Sequence, residues 1–260
     1  MAQLGATTAP SPKIISSAKV HPFVTVPTAT PPLPTPAGES IILHGSREQR
    51  RIAFTFDADM TPHMRELQRS GKVKTWYNAQ IIEILRQSKT PATLFLTGMW
   101  IELYPQEAAS LAGDPLFELG NHSYSHPSFQ GYCYGLTRSA DSQDEAEINL
   151  TQLELYHLTH KFNTLFRFPG GCSDTTSQQN VTKAGLQAIG WDVAGGDGYL
   201  RSTVALEQNV LSQVKNGSII VLHLHGGPFA PKTAEALPMI ITNLKLRGFT
   251  FVTVSQLLHL

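Results

Sequence analysis

The chain has 260 residues, a formal net charge of zero, 41% hydrophobic and 15% charged residues. That hydrophobic share supports a sizeable core and excludes wholesale disorder. Without a basic excess to neutralise phosphates, generic nucleic-acid binding is disfavoured, and no apolar run approaches the roughly 20 residues that cross a bilayer.

Residues 1–40 are rich in Ala, Thr, Ser and Pro and end in VPTATPPLPTPAGES. Such a composition buries too little surface to offset ordering entropy, so a disordered or extended tether is expected there. The N-terminus has neither the basic nor the apolar region of a secretory signal. Either the protein is cytosolic or the chain begins after a removed leader. From Ile41 the texture changes, and 41–260 reads as one domain. RIAFTF (51–56) is a buried strand, WYNAQIIEILRQ (76–87) carries apolar residues at helical spacing, and ATLFLT (92–97) is a second strand. A helix over 100–112, a short strand over 116–119, and helices over 144–164 and 178–189 are expected, with strands at 165–168 and 190–194. A helix over 204–215, the strand SIIVLHL (218–224), a helix within 234–247, the strand FTFVTV (249–254) and a short terminal helix complete the chain. Strands alternating with helices imply a parallel sheet covered by helices. About seven such units fit an α/β fold of the closed or nearly closed (β/α) barrel kind.

Active groups of such barrels sit at the carboxyl ends of the strands, where this chain concentrates unusual polar residues. Asp57 and Asp59 follow the first strand, and His122 and His126 the third. Arg167 lies at the fourth, Asp197 after the fifth, and His223 and His225 at the sixth. Two imidazoles four apart, with a carboxylate, leave open positions on a cation, which is the catalytic rather than the structural pattern. A second carboxylate off the metal takes a proton from water, and a histidine across the site protonates a leaving group. Strand alternation puts His223 and His225 on one face, so both compete for that last role. Taken singly, each has a blander reading: a polar loop, a helix cap, a surface ion pair, a core histidine, and for Trp191 a place in the core. Cys133 and Cys172 do not form a CxxC pair, which disfavours a thiolate zinc site. Spacing alone leaves them reduced or bridged.

The order of motifs resembles the polysaccharide deacetylase family, the NodB-homology domain of carbohydrate esterase family four. TFDAD resembles that family's TFDDG, HSYSH (122–126) matches H-S/T-x-x-H, and RFPGG (167–171) resembles RPPYG. WDVAGGDGY (191–199) is a loose fourth motif and GSIIVLH (217–223) matches the fifth, usually ending in LLHD. The resemblance implies a distorted barrel and metal-dependent removal of acetyl groups from sugars. It makes His122 and His126 metal ligands, Asp57 the general base, Arg167 its positioner, and His223 the general acid, with Asp197 and the nearby Asp192 left in the fourth motif as groups that could tune it. A backbone N–H near Met60 to Pro62 would face the oxyanion. Pro169, Gly170, Trp191 and His225 are expected to line the sugar site. One divalent ion is implied, zinc fitting best, with cobalt, nickel or manganese as alternatives.

Two departures bear on that assignment. Ala58 stands where the family's metal-binding aspartate follows the base, and Asp59 is displaced by one residue, where strict strand geometry would point it elsewhere. Either Asp59 ligates, or Asp57 does so and the base role shifts, or two histidines and water hold the metal. The first is preferred. Ala194 and Leu224 replace two more aspartates, while His225 adds an imidazole. The resemblance also favours a Cys133–Cys172 disulfide, a cell-surface or extracellular location, a polysaccharide or oligosaccharide substrate and a monomer. The competing readings are an ester-cleaving relative acting on acetylated xylan and a degenerate member that only binds carbohydrate.

Overall fold

Alternation along the first strand divides the molecule into two buried layers. In the computed structural model, which describes residues 41–260, β1 (Arg51–Ala58) turns Ile52, Phe54, Phe56 and Ala58 to the layer shared with the helices. Ala53 faces the interior instead, with Thr55 and Asp57 following it at the two-residue period. The tail expected over 1–40 lies outside the described residues.

Both neighbours of β1 are parallel to it: β2 (Ala92–Leu96) on one side and β7 (Ile219–His223) on the other. Beyond them lie β3 (Phe117–Asn121), β4 (Leu165–Phe166), β5 (Gln187–Ala188) and β6 (Val193–Ala194), giving the order β5-β4-β3-β2-β1-β7-β6. These seven parallel strands curl into a half-barrel, and β8 (Thr250–Phe251) pairs with the start of β1. Residues 42–45 run across the gap between the ends of the sheet, Ile42 bridging to Ile189 and His44 to Ser218. The helical layer is built from α2 (Ala79–Gln87), α7 (Thr203–Gln213) and α8 (Thr233–Leu246), among others, whose Ile81, Leu85, Leu206, Val210 and Leu237 pack on the outward faces of β1 and β7. The interior is sealed at the amino end by α9 (Val254–Leu258), which sets Val254 and Leu257 against Ala53, Phe95 and Ile219.

Several boundaries differ from expectation for local reasons. The helix expected over 100–112 is two, α3 (Gly98–Leu103) and α4 (Pro105–Ala112), because Pro105 pushes Tyr104 out of the helical region. The helix placed over 144–164 is α5 (Asp141–Thr159), closed by left-handed His160. In place of one helix over 178–189, α6 (Thr175–Lys183) ends early and the chain turns at Gly185, φ +75°, so that Gln187–Ala188 forms β5. The strands expected over 190–194 and 249–254 shrink to β6 and β8. Thr253 ends the second by capping α9. One helix was not expected at all. It is α1 (Pro62–Arg69), capped by the Thr61 hydroxyl with proline at its first position.

Candidate active site

The register brings eight of the expected groups to the carboxyl edge of the sheet. Asp57 lies opposite His223 across the β1–β7 pairing, and His122 follows Asn121, the partner of Leu96 on β2. Asp57 is buried and its Oδ1 accepts from Arg167 Nη1 at 2.8 Å. Arg167 is fully buried inside the half-barrel. Nη1 also donates to Thr55 Oγ1 at 2.6 Å, Nε to the Ile189 carbonyl and Nη2 to the Gly190 carbonyl. Its guanidinium lies over the Phe95 ring at 4.1 Å. Burial pulls the Arg167 guanidinium down from its ordinary value and Asp57 opposes that pull. The arrangement leaves Asp57 Oδ2 facing the site, 3.7 Å from His122 Nε2.

His122 and His126 are carried on a turn with two left-handed residues, Ser123 at φ 65° and His126 at φ 59°. Three local contacts hold it. The Ser123 N–H donates to Asn121 Oδ1, the His126 N–H donates to Ser123 Oγ, and the Glu147 carboxylate on α5 accepts from the Tyr124 and Ser125 N–H groups and the Ser125 hydroxyl. His122 Nδ1 meets the Arg167 carbonyl at 2.8 Å, and when that nitrogen carries the proton Nε2 is left as an acceptor. Asp59 Oδ1 sits 3.3 Å from His122 Nε2 and 3.4 Å from His126 Nε2. It is buried and makes no aligned hydrogen bond. Burial would push the Asp59 carboxyl up, but the imidazoles of His126, His225 and His122 outweigh it and hold it well below the usual carboxylate range. His122 moves oppositely: burial disfavours its cation, yet Asp57 and Asp59 raise it.

One ligand atom from each of Asp59, His122 and His126 lies within 4.8 Å of the others. Ligands at about 2.0–2.1 Å on a tetrahedral ion stand roughly 3.3 Å apart, which matches the two measured separations from Asp59. Two nitrogen lone pairs and an orphaned carboxylate oxygen converging in a buried place is an unfavourable arrangement for the bare groups and a suitable one for a divalent cation. The residues fit the group. The strand-geometry concern about Asp59 does not hold: Ala58 is the residue turned outward into the core, and one further step returns Asp59 to the side of Asp57.

The opposite wall carries the two remaining histidines, stacked at 5.6 Å with 22° between their planes. His223 Nδ1 meets Asp197 Oδ1 at 2.8 Å, while Asp197 Oδ2 accepts from the His223 N–H and the Thr233 hydroxyl. Burial alone would lower His223. Asp197, helped by Asp59 and Asp57, raises it to about 10. Nε2 is the His223 nitrogen left over by Asp197. His225 is engaged differently, its Nε2 lying 3.0 Å from Asp59 Oδ2. Thr233 and Glu147 were not anticipated from sequence, and no local motif announces either.

A cavity of about 280 Å³ opens over these groups, lined by Asp59, His126, His223 and His225 with an apolar side from Met64, Leu67 and Phe229. It shares Thr61, His63, His126 and Leu136 with an adjoining groove that runs over Ser125, Thr137 and Arg138. Three residues expected to line the sugar site lie elsewhere. Pro169 is buried, and the Gly170 backbone, at φ +63°, comes so close to Cys133 that a Cβ on it would stand only 2.7 Å from Sγ. Trp191 packs under Gly171 and against the Arg167 guanidinium, and belongs with the interior cluster. Asp192, in the fourth motif, lies at the other end of the sheet, tied to Arg47, Ser218 and the Ile219 N–H. A disulfide joins Cys133 to Cys172, tethering the loop beside the groove to the segment after Arg167.

The chain is 29% identical over 213 residues to the peptidoglycan-N-acetylglucosamine deacetylase of Bacillus cereus, covering 81% of this chain and 89% of that one. It is 32% identical over 173 residues to a bifunctional xylanase/xylan deacetylase of Cellvibrio japonicus, covering 65% of this chain and 24% of that larger protein. The fold superposes on a pseudoenzyme of carbohydrate esterase family four from Bacillus anthracis with a TM-score of 0.69, at 22% identity over 85% of this chain and 69% of that one. The family model for polysaccharide deacetylase matches residues 44–189, more than half of the chain, and the protein belongs to the polysaccharide deacetylase family.

Proposed function

We propose that this protein is a divalent-metal-dependent hydrolase that removes N-acetyl groups from N-acetylglucosamine-containing polysaccharide, peptidoglycan or a chitin-like chain. The observation that carries the reading is the convergence of Asp59, His122 and His126 between a guanidinium-held carboxylate, Asp57, and an aspartate-held imidazole, His223. Asp59, His122 and His126 would hold the ion, zinc suiting this donor set best. When bound, that ion supplies Lewis-acid polarisation and lowers the pKa of water toward neutrality. Arg167 occupies Asp57 Oδ1, so Oδ2 receives the proton of the attacking water. A backbone N–H of Met60 or Thr61 would face the oxygen that gains charge. The attacking oxygen bonds to the acetyl carbon as that proton leaves it, and as the C–N bond breaks His223 Nε2–H delivers its proton to the departing amine, while Asp197 keeps Nδ1–H in place. The apolar side of the cavity, Met64, Leu67 and Phe229, suits the acetyl methyl group.

A polymer of this kind lies outside the cytoplasm, and the Cys133–Cys172 disulfide supports an oxidising, extracellular or cell-surface setting. The similarity to a xylan deacetylase favours a second reading, cleavage of acetyl esters by the same groups. The test is acetate release from chitooligosaccharides, peptidoglycan and acetylated xylan by protein that is metal-stripped or restored with zinc or cobalt. Acetate from an amide substrate that disappears on stripping and in His126→Ala supports the deacetylase. Metal-loaded protein that releases no acetate from any of the three would leave carbohydrate binding without turnover, and the proposal would fall.

A further inference from the structure

We infer that His225 is a positioning residue that holds the displaced Asp59 carboxylate in its metal-facing orientation; the inference rests on the reading of Asp59, His122 and His126 as a metal site. β1 ends at Ala58, so Asp59 stands just beyond the last residue supported by the strand ladder. Ala58 is fully buried in the helical layer and offers the site nothing. The carboxylate must therefore be held by side chains, and its two oxygens are treated differently. Oδ2 lies 3.0 Å from His225 Nε2. Oδ1 is left without an aligned hydrogen bond, between His122 Nε2 and His126 Nε2. One oxygen beside an imidazole outside the trio and the other between the trio's own two imidazoles is the division that a singly coordinating carboxylate needs, and outer partners of this kind fix the orientation of metal ligands.

His225 is placed for the task by packing. Its ring is 3% exposed, stacks on His223, and meets the Trp76 ring edge-on at 82° with centroids 6.5 Å apart. It does not belong to the converging trio: only Asp59, His122 and His126 bring ligand atoms within 4.8 Å of one another among the described residues. Nor does it share the work of His223, because its Nε2 is already directed at Asp59. Two of the places where this chain departs from its family's common motifs, the shifted aspartate and the added histidine, thus lie against each other. The added imidazole compensates the shift.

The experiment titrates cobalt(II) into the full-length, metal-stripped chain, reading affinity and the visible absorption of the bound ion. The proteins are wild type, His225→Leu, His225→Gln, Asp59→Ala and the double variant His225→Leu/Asp59→Ala. His225→Leu is expected to weaken cobalt binding about 10- to 100-fold, as loss of an outer-sphere partner does, and to alter the spectrum. His225→Gln keeps an N–H at nearly the same reach and should recover most of the affinity and the wild-type spectrum. The double variant should bind no more weakly than Asp59→Ala, because His225 acts through Asp59. Wild-type affinity in His225→Leu, or losses that multiply in the double variant, would overturn the inference while leaving the metal site intact. Absence of cobalt binding in wild type would overturn the metal site and this inference together. Should His225→Leu fail to fold, His225→Gln decides: a folded Gln variant that binds like wild type supports the positioning role, and one that has lost the ion refutes it.

Discussion

Asp57 and Asp197 are both buried carboxylates that meet a nitrogen partner at 2.8 Å. Their partners differ in kind. Arg167 stays charged at every working pH, is wholly enclosed, and spreads its donors over Asp57, Thr55 and two carbonyls. His223 is a titratable group with its side chain 30% exposed, aimed at the cavity and tied down only at Nδ1. The difference separates two chemical tasks. A fixed cation on Asp57 Oδ1 holds that carboxylate in place and leaves Oδ2 facing the site to accept a proton. A carboxylate beside His223 keeps that imidazole charged and ready to give one.

The largest effect is expected from removing the proton donor. His223→Ala should lower kcat on N-acetylated oligosaccharide by about 10²- to 10⁴-fold, the usual scale of general acid catalysis. Hydrolysis of an acetyl ester should suffer less, because an alkoxide leaves with less need of a proton than an amine. Measuring both substrates side by side checks the assignment; equal losses would remove His223 from the acid role and blur the division between the walls.

The other wall is tested by stability. Arg167→Met deletes the guanidinium bonded to Asp57 Oδ1 and leaves a buried carboxylate without that charge partner. Breaking one side of a buried pair costs about 3–5 kcal/mol, to be read from urea unfolding of the metal-free protein. Arg167→Lys should recover only part of the loss, since one ammonium cannot reach Thr55, Asp57 and both carbonyls together. A change below about 1 kcal/mol, the scale of an exposed pair, would show that Asp57 finds another partner.

How much of this was legible beforehand follows from what each residue depends on. β1, β2 and β7 are read from largely apolar runs because burial on both faces leaves little alternation to interpret, and the polar residues at their ends then fall on one edge. Asp57, His122, His126, Arg167 and His223 come together for that reason. Segments whose fate is set by a single backbone turn were less readable. Gly185 ends α6 and releases Gln187 and Ala188 to the sheet, although their neighbours carry helical spacing. The TP pair at 61–62 was a usable signal for α1. For Trp191 residue type alone favours the core and the motif resemblance a sugar site, and only the closure of the half-barrel shows it half-buried against Arg167. Glu147 holds the His122–His126 turn from a helix more than twenty residues downstream, a contact that no local pattern encodes.

The smallest expected change at neutral pH, and the sharpest on the comparison, comes from Asp197→Asn. With Asp197 ionised, His223 is raised to about 10, so it remains a charged donor through the neutral range and the alkaline limb of the rate profile should fall near that value. Without the carboxylate, burial is opposed only by the more distant Asp59 and Asp57, and the limb should move down toward the ordinary imidazole value of about 6.5. Stability carries the same sign. A folded pKa above the unfolded one gives stabilisation that is complete below about 6.5 and is lost as pH rises toward about 10. Wild type should therefore lose stability across that window, while Asp197→Asn, starting lower, should show a flatter profile. Arg167 stays protonated throughout the window and adds no slope, so a slope that survives Asp197→Asn would have to come from a group other than the His223 wall.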